Sequence, residues 1–335
     1  MERILNIDID QQSILGIDIG GTKTSVCTAD RSGRIRHAQR MPSEAQRGPQ
    51  DWLERTVELC HRVMDEAAMK DEDVEMVGIS APGPLSARTG TLLNAPNMTG
   101  WEEVPIVEML SQHFAQPMVM NNDANAAALA EWYFGEYKGA DGLIYLTMST
   151  GLGAGIIANG RLLQGITDTA GEVGYHVLDI HGPQSPCGHR GSFEAFCGGK
   201  NMADRLRQQI VDDRIETRIL EHAEGDPEKI DFRCLLQAVR DEDAFAREVW
   251  EEYVLRLAQG MANLIMILNP EVIILGTIGI HAGHTLLNPL QDMLPCFTLK
   301  PALEACTIAP SSLGKQIGDM AAVALALERL DAREP

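Results

Sequence analysis

Four short stretches hold the residue types that do chemistry. In NNDANAAALAE (121–131), Asp123 stands among asparagines at the head of an alanine-rich run. A carboxylate there has an ordinary use, capping a helix. It also has a reactive one, taking a proton from a hydroxyl as that oxygen attacks phosphorus. Spacing alone favours the cap; Asn122 and Asn125 tilt the balance, because such polar groups can hydrogen-bond a polyol. DIGGTK (18–23) and STGLGAG (149–155) are glycine turns whose backbone N–H groups can approach an anion with no side chain in the way. Either alone is weak evidence, because most glycine-rich turns are simply hairpins, but one in each half of the chain points to a bound phosphate. No GxxxxGK[ST] occurs, so neither is a P-loop. The fourth stretch, GEVGYHVLDIHGPQSPCGHRGSFEAFCGG (171–199), crowds three histidines, two cysteines and two glutamates. No pair of them has zinc-finger spacing.

These stretches need elements to position them. ILGIDIGGTKTSVCT (14–28) is two apolar runs around a Gly-Gly turn, a β-hairpin signal. LNIDID (5–10) imitates it without glycines and is expected as an extension or edge strand. Helices are expected over 51–69, near 103–114 and from Asp123, and strands over 74–80 and at MVMNN. GLIYLTM (142–148) is a strand, and Asn159-Gly160 between apolar pairs predicts a type I′ hairpin. The region 200–268 is expected to be mostly helical. Phe245, Val249, Tyr253, Leu257, Met261, Ile265 and Leu268 form one apolar stripe, and Asn269-Pro270 stops that helix. VIIL and a closing helix follow. Strands and helices thus alternate in two halves, each opening with a strand and a glycine turn. The expectation is two α/β domains with a cleft between them.

Composition narrows the function classes. The formal charge of −20 repels phosphate backbones and anionic lipid, so neither nucleic acid nor a membrane is an expected partner. Seven irregularly spaced cysteines in a chain of this size suggest reduced thiols in a cytosolic compartment. The N-terminus lacks a signal-peptide pattern, and the longest apolar runs are too short to span a bilayer.

Taken in order, DIGGTK, GISAPGPL, APNMTGW, NNDANAAALAE, STGLGAG, GEVGY and NPEVIILG resemble the ROK family of bacterial sugar kinases and related repressors, over roughly residues 14–325. The resemblance implies two ribonuclease-H-like domains of the actin/Hsp70/sugar kinase kind, closing over ATP, Mg²⁺ and a hexose. It sets the first domain at 1–122, joined by the last helix (about 316–335), and the second at 123–315. Gly20, Gly21, Thr22 and Lys23 match the first phosphate turn, and Thr150, Gly151 and Gly153 the second. Gly276 matches the adenosine segment, although GTIGI departs there from the family's glycine cluster. Gly83, Asn97, Asn122 and Asp123 match hexose contacts, with Asp123 as the base; Glu172 and Glu194 match the glutamates that bind hydroxyls near the anomeric carbon.

ROK kinases usually carry ExGH followed by CxCGxxGCxE, whose histidine and three cysteines hold a zinc ion. An ungapped fit puts Tyr175, Ser185, Cys187 and Ser192 at those four places, so a structural zinc is not expected. The missing histidine is also a sugar contact in the family. Tyr175, or His176 swinging in, would take its place and alter the pocket. The implied activity is therefore transfer of a phosphoryl group from ATP to the 6-hydroxyl of a hexose, glucose first. N-acetylmannosamine, N-acetylglucosamine or fructose are alternatives, and polyphosphate is an open alternative donor. A sugar sensor without turnover is the non-enzyme alternative. Seventeen residues precede Asp18, too few for the winged helix-turn-helix of a ROK repressor. A homodimer is the family expectation.

Overall fold

The computed structural model describes residues 13–332, except 96–97 and 186–187. LNIDID, Asn97 and Cys187 lie outside the described residues. The chain divides into two compact units. The first takes in the chain up to Lys138, then Gln164–Thr169 and the chain from Lys315; the second is Gly139–Leu163 with Ala170–Gly314.

The first unit is built on a sheet of β1 (Ser13–Ile19), β2 (Lys23–Asp30), β3 (Ile35–Pro42), β4 (Val74–Ala81) and β5 (Met118–Asn122), ordered β3-β2-β1-β4-β5. β1 and β2 form the expected antiparallel hairpin, Ile19 opposite Thr24, while β4 and β5 run parallel to β1. Side-chain alternation in β1 feeds two cores. Leu15, Ile17 and Ile19 face the helix α1 (Pro49–Glu66), whose Trp52, Leu59, Cys60 and Val63 are buried. Ile14 joins the opposite core with Val323 and Ala326 of the last helix. That helix lies unusually close. Gly16 and Gly78 are register partners on β1 and β4. A Cβ on Gly78 would come within 1.9 Å of the Ala322 carbonyl oxygen, so the pair forms a groove that only glycine leaves open.

The helix α2 (Asp123–Phe134) packs on the same C-terminal helix, and Tyr133 donates a hydrogen bond to Asp331 at 2.6 Å. The expected boundary after Asn122 therefore moves to Lys138, because the partner of α2 belongs to the first unit. The helix expected near 103–114 is shorter, Ile106–Ser111, behind a short strand Glu102–Val104. Pro105 disfavours helical backbone at Val104 and sets that limit.

The second unit repeats the plan. Strands β6 (Gly142–Met148), β7 (Leu152–Ala158), β8 (Arg161–Leu162), β9 (Val272–Leu275) and β10 (Thr307–Pro310) are ordered β8-β7-β6-β9-β10. Again two antiparallel strands precede two parallel ones. This is the ribonuclease-H-like arrangement expected of both halves. Asn159 and Gly160 take φ of 53° and 66°, as a type I′ turn requires. Short α3 (Phe193–Cys197) and α4 (Gly199–Asp212) precede the long α5 (Ala244–Leu268). Along α5, Tyr253, Leu257, Met261 and Ile265 are buried, whereas Phe245, Val249 and Leu268 are only partly covered. The returning helix is α6 (Ile317–Asp331). Among the described residues no helix is long and apolar enough to cross a membrane.

Candidate functional site

In the first unit the candidate residues gather at one edge of the sheet. The first glycine turn follows β1, Gly83 follows β4, and Asn122 ends β5; these are the carboxyl ends of three adjacent parallel strands. Open α/β sheets bind ligands outside such ends. Asn122, not Asp123, caps α2: its side chain accepts from the N–H of Asn125 at 2.7 Å. Asn121 supports it, accepting from the N–H of Asn122 and from the Asn125 amide. The ordinary role open to Asp123 is thus filled by its neighbour. Asp123 itself is exposed in the first helical turn.

The first turn is held from behind by a buried relay. Trp52 donates to Thr24 at 2.9 Å, Thr24 and Ser43 hydroxyls lie 3.0 Å apart, and Ser43 donates to the Gly20 carbonyl at 2.6 Å. The Ser43 N–H donates to the Thr22 carbonyl. Ser43→Ala strips the turn of its hydroxyl anchor; a loss of about 1–3 kcal/mol is expected, read as a lowered urea midpoint.

Asp18 ends the same hairpin beside α6, where a Cβ on Gly318 would meet its carboxylate at 2.6 Å. Burial, with the charge of Asp319, pushes the Asp18 carboxyl above its usual range, and Lys23 and Arg40 oppose the rise. Asp319 is itself buried; it accepts from Ser25 at 2.5 Å and from Arg40 at 2.8 Å. Ser43, Arg40 and Asp319 carry no motif. They join the turn only through pairings far apart in sequence.

In the second unit the site is an interlock of three segments. The Glu194 carboxylate accepts from the N–H of Leu152 at 2.9 Å, within the second glycine turn. Gly199 and Lys200 donate to the Ser149 and Thr150 carbonyls. Gly174 packs against the Leu152 carbonyl and Glu194. Glu172, just ahead of the short helical turn Val173–Tyr175, is half-buried; burial and the Glu194 charge push its carboxyl up. Gly153 lies within β7. Gly276 follows β9, its N–H donating to the Leu146 carbonyl and its backbone packed against the Tyr145 hydroxyl.

Tyr175 is 46% exposed and meets the His189 ring edge-on at 5.0 Å. His176 is engaged elsewhere. Its Nδ1 lies 2.5 Å from the Val173 carbonyl, its ring packs on Phe193, and burial lowers its pKa. Ser192, at a zinc-ligand place in the family pattern, caps α3 by accepting from Ala195. No cluster of metal-ligating side chains occurs among the described residues.

Protein contacts hold the described parts of the loop, 177–185 and 188–191, in place. Leu178 and Asp179 both donate to the Gly191 carbonyl, Val177 bridges Ser192, and Gly191 donates to Pro183. Arg256 of α5 reaches Asp179 at 3.4 Å while its guanidinium lies 4.4 Å from the Phe196 ring centre. Arg256→Ala is expected to speed proteolytic cleavage between 177 and 191 several-fold, followed by mass spectrometry. A chelator is expected to leave wild-type cleavage unchanged.

The paired sheets and glycine turns define a two-domain fold of the actin/Hsp70 kind. The ROK family profile matches residues 14–329. The chain is 30% identical over 317 residues to a glucokinase of Thermotoga maritima, covering 95% of this chain and 98% of that one. It is 28% identical to a xylose repressor of Caldicellulosiruptor bescii, over 87% of this chain and 72% of the repressor. A ROK glucokinase from Streptomyces griseus, solved with glucose and AMPPNP, superposes with a TM-score of 0.75 at 27% identity, covering 94% and 99% of the two chains. The chain belongs to the ROK family.

Proposed function

We propose that the protein is a sugar kinase that moves the γ-phosphoryl group of ATP to the 6-hydroxyl of a hexose, glucose first. The observation that carries this reading is the cap: Asn122 closes α2 and leaves Asp123 a role other than capping. In this reading Asp123 orients and deprotonates the hydroxyl, and its oxygen attacks phosphorus in line. Gly20–Lys23 and Thr150–Gly153 cradle the phosphates, and Gly276 borders the adenosine. Mg²⁺ suits the end of β1, where Asp18 offers a carboxylate beside the turn; this ion is usually held by one or two carboxylates plus substrate phosphates. When bound, it neutralises phosphate charge. Gly83, Asn97, Asn122, Glu172 and Glu194 bind sugar hydroxyls, the carboxylates through strong charge-assisted bonds.

A panel of glucose, mannose, fructose, N-acetylmannosamine and N-acetylglucosamine, with coupled ADP detection, tests it. ADP release with glucose strongest is expected; preference for N-acetylmannosamine overturns the glucose assignment. Polyphosphate in place of ATP tests the donor. The exposed Tyr175 against His189 favours the N-acetylhexosamine reading as runner-up, since it changes the shape of the site near Glu172. Similarity to a repressor raises DNA binding as a rival, which the charge of −20 opposes.

Glu172 gives a pH signature. Its carboxyl is raised by burial and by Glu194, so sugar binding through the ionised form fades as pH falls through that raised value. The acid limb of kcat/KM is expected above the ordinary glutamate range. Glu194→Gln removes one cause and is expected to shift the limb to lower pH. The stability effect has the opposite sign: a raised folded-state pKa makes ionisation costly above it, and that cost disappears as pH falls.

A further inference from the structure

Glu194 touches more than a sugar would. Its Oε2 accepts the N–H of Leu152 at 2.9 Å, the first residue of β7 and the neighbour of Gly151. The fit leaves no slack, because a Cβ on Gly151 would lie 2.6 Å from that same oxygen. The main chain of Glu194 is anchored as well. Its carbonyl accepts from the Gly198 N–H at 2.8 Å and from the Asn201 amide at 3.1 Å. Directly after, Gly199 donates to the Ser149 carbonyl at 3.0 Å and Lys200 to the Thr150 carbonyl at 2.9 Å. One short segment, 194–200, therefore grips the second glycine turn at Ser149, Thr150 and Leu152. A carboxylate has about four lone-pair sites, so the bond to Leu152 leaves capacity for a hydroxyl.

We propose that Glu194 is a positioning residue for the second glycine turn as well as a sugar contact, so that one side chain couples sugar occupancy to phosphate-turn geometry. This rests on the kinase reading above. A sugar hydroxyl on Glu194 orders the carboxylate, and the ordered carboxylate holds the Leu152 N–H and the turn before it. Reciprocity follows: glucose tightens nucleotide binding by the factor by which nucleotide tightens glucose binding.

The test compares Glu194→Ala with Glu194→Gln, each checked for a wild-type-like thermal midpoint. AMPPNP affinity is measured by calorimetry with and without glucose, and exchange of the Leu152 amide by NMR. Glu194→Ala is expected to deprotect Leu152 and to weaken AMPPNP binding about tenfold without sugar. Glu194→Gln keeps an acceptor oxygen and is expected to stay within about threefold of wild type. Both lose glucose affinity and the glucose-dependent gain in AMPPNP affinity. Should Glu194→Ala lose its fold, Glu194→Asp repeats the test, because it keeps the charge but falls one methylene short of Leu152. Unchanged Leu152 protection, or wild-type AMPPNP affinity without sugar in the truncated variants, overturns the positioning role. Failure of the kinase reading looks different: the wild type itself binds no AMPPNP. That outcome ends this proposal too, while Leu152 exchange still reports the bond.

Discussion

Asp123→Ala is expected to reduce phosphoryl transfer by about 10²–10⁴-fold while glucose and AMPPNP still bind. The fold has little reason to change. The capping bonds run through the neighbours of Asp123: Asn122 accepts from the Asn125 N–H, and Asn121 accepts from the Asn125 amide. Residue 123 is exposed, and alanine is a good helix former. A fall in kcat far larger than any loss of calorimetric sugar affinity, with sugar binding still measurable, is the signature of a proton acceptor at the reacting hydroxyl. Near-normal turnover would refute the assignment of Asp123 as the base.

Gly78→Ala is the second large effect, on stability. The new methyl group would meet the Ala322 carbonyl oxygen at 1.9 Å, and that atom belongs to helix backbone, which cannot rotate away. α6 must lift from β1 and β4. A loss of about 3 kcal/mol is expected, with a fall of roughly 6–12 °C in the thermal midpoint. Calorimetry checks it, and an unchanged midpoint would mean that α6 sits elsewhere.

The features legible in sequence were those whose cause is local. The Gly-Gly hairpin, the Asn159-Gly160 turn and the strands flanking them follow from turn chemistry and alternation. The cap was ambiguous because Asn122 and Asp123 stand side by side and either can cap. Where β5 ends decides between them, and that register is tertiary. Pro105 is a local signal, yet the apolar residues around it mimic a longer helix. Asp319 lies 294 residues from Ser25, so no motif scan could pair them. Nor does composition mark Gln164–Thr169 as belonging to the first unit; Asp168 holds it there by accepting from Ser86 and from the Arg88 N–H, both at 3.3 Å. The glutamates were visible only through family resemblance. The contact of Glu194 with the second glycine turn depends on α3 folding back over β7.

The groove lined by Gly16 and Gly78 has a consequence for biosynthesis. Its occupant, α6, leaves the ribosome only after the whole of the second unit has been made. Until then the nascent first sheet shows Ile14, Met76 and the glycine pair to water or to chaperones, with its other face already covered by α1. The second unit, continuous apart from the short excursion at 164–169, can complete its core before the first does. The first unit, although it is made first, cannot close its core until the last helix of the chain has followed the second unit out.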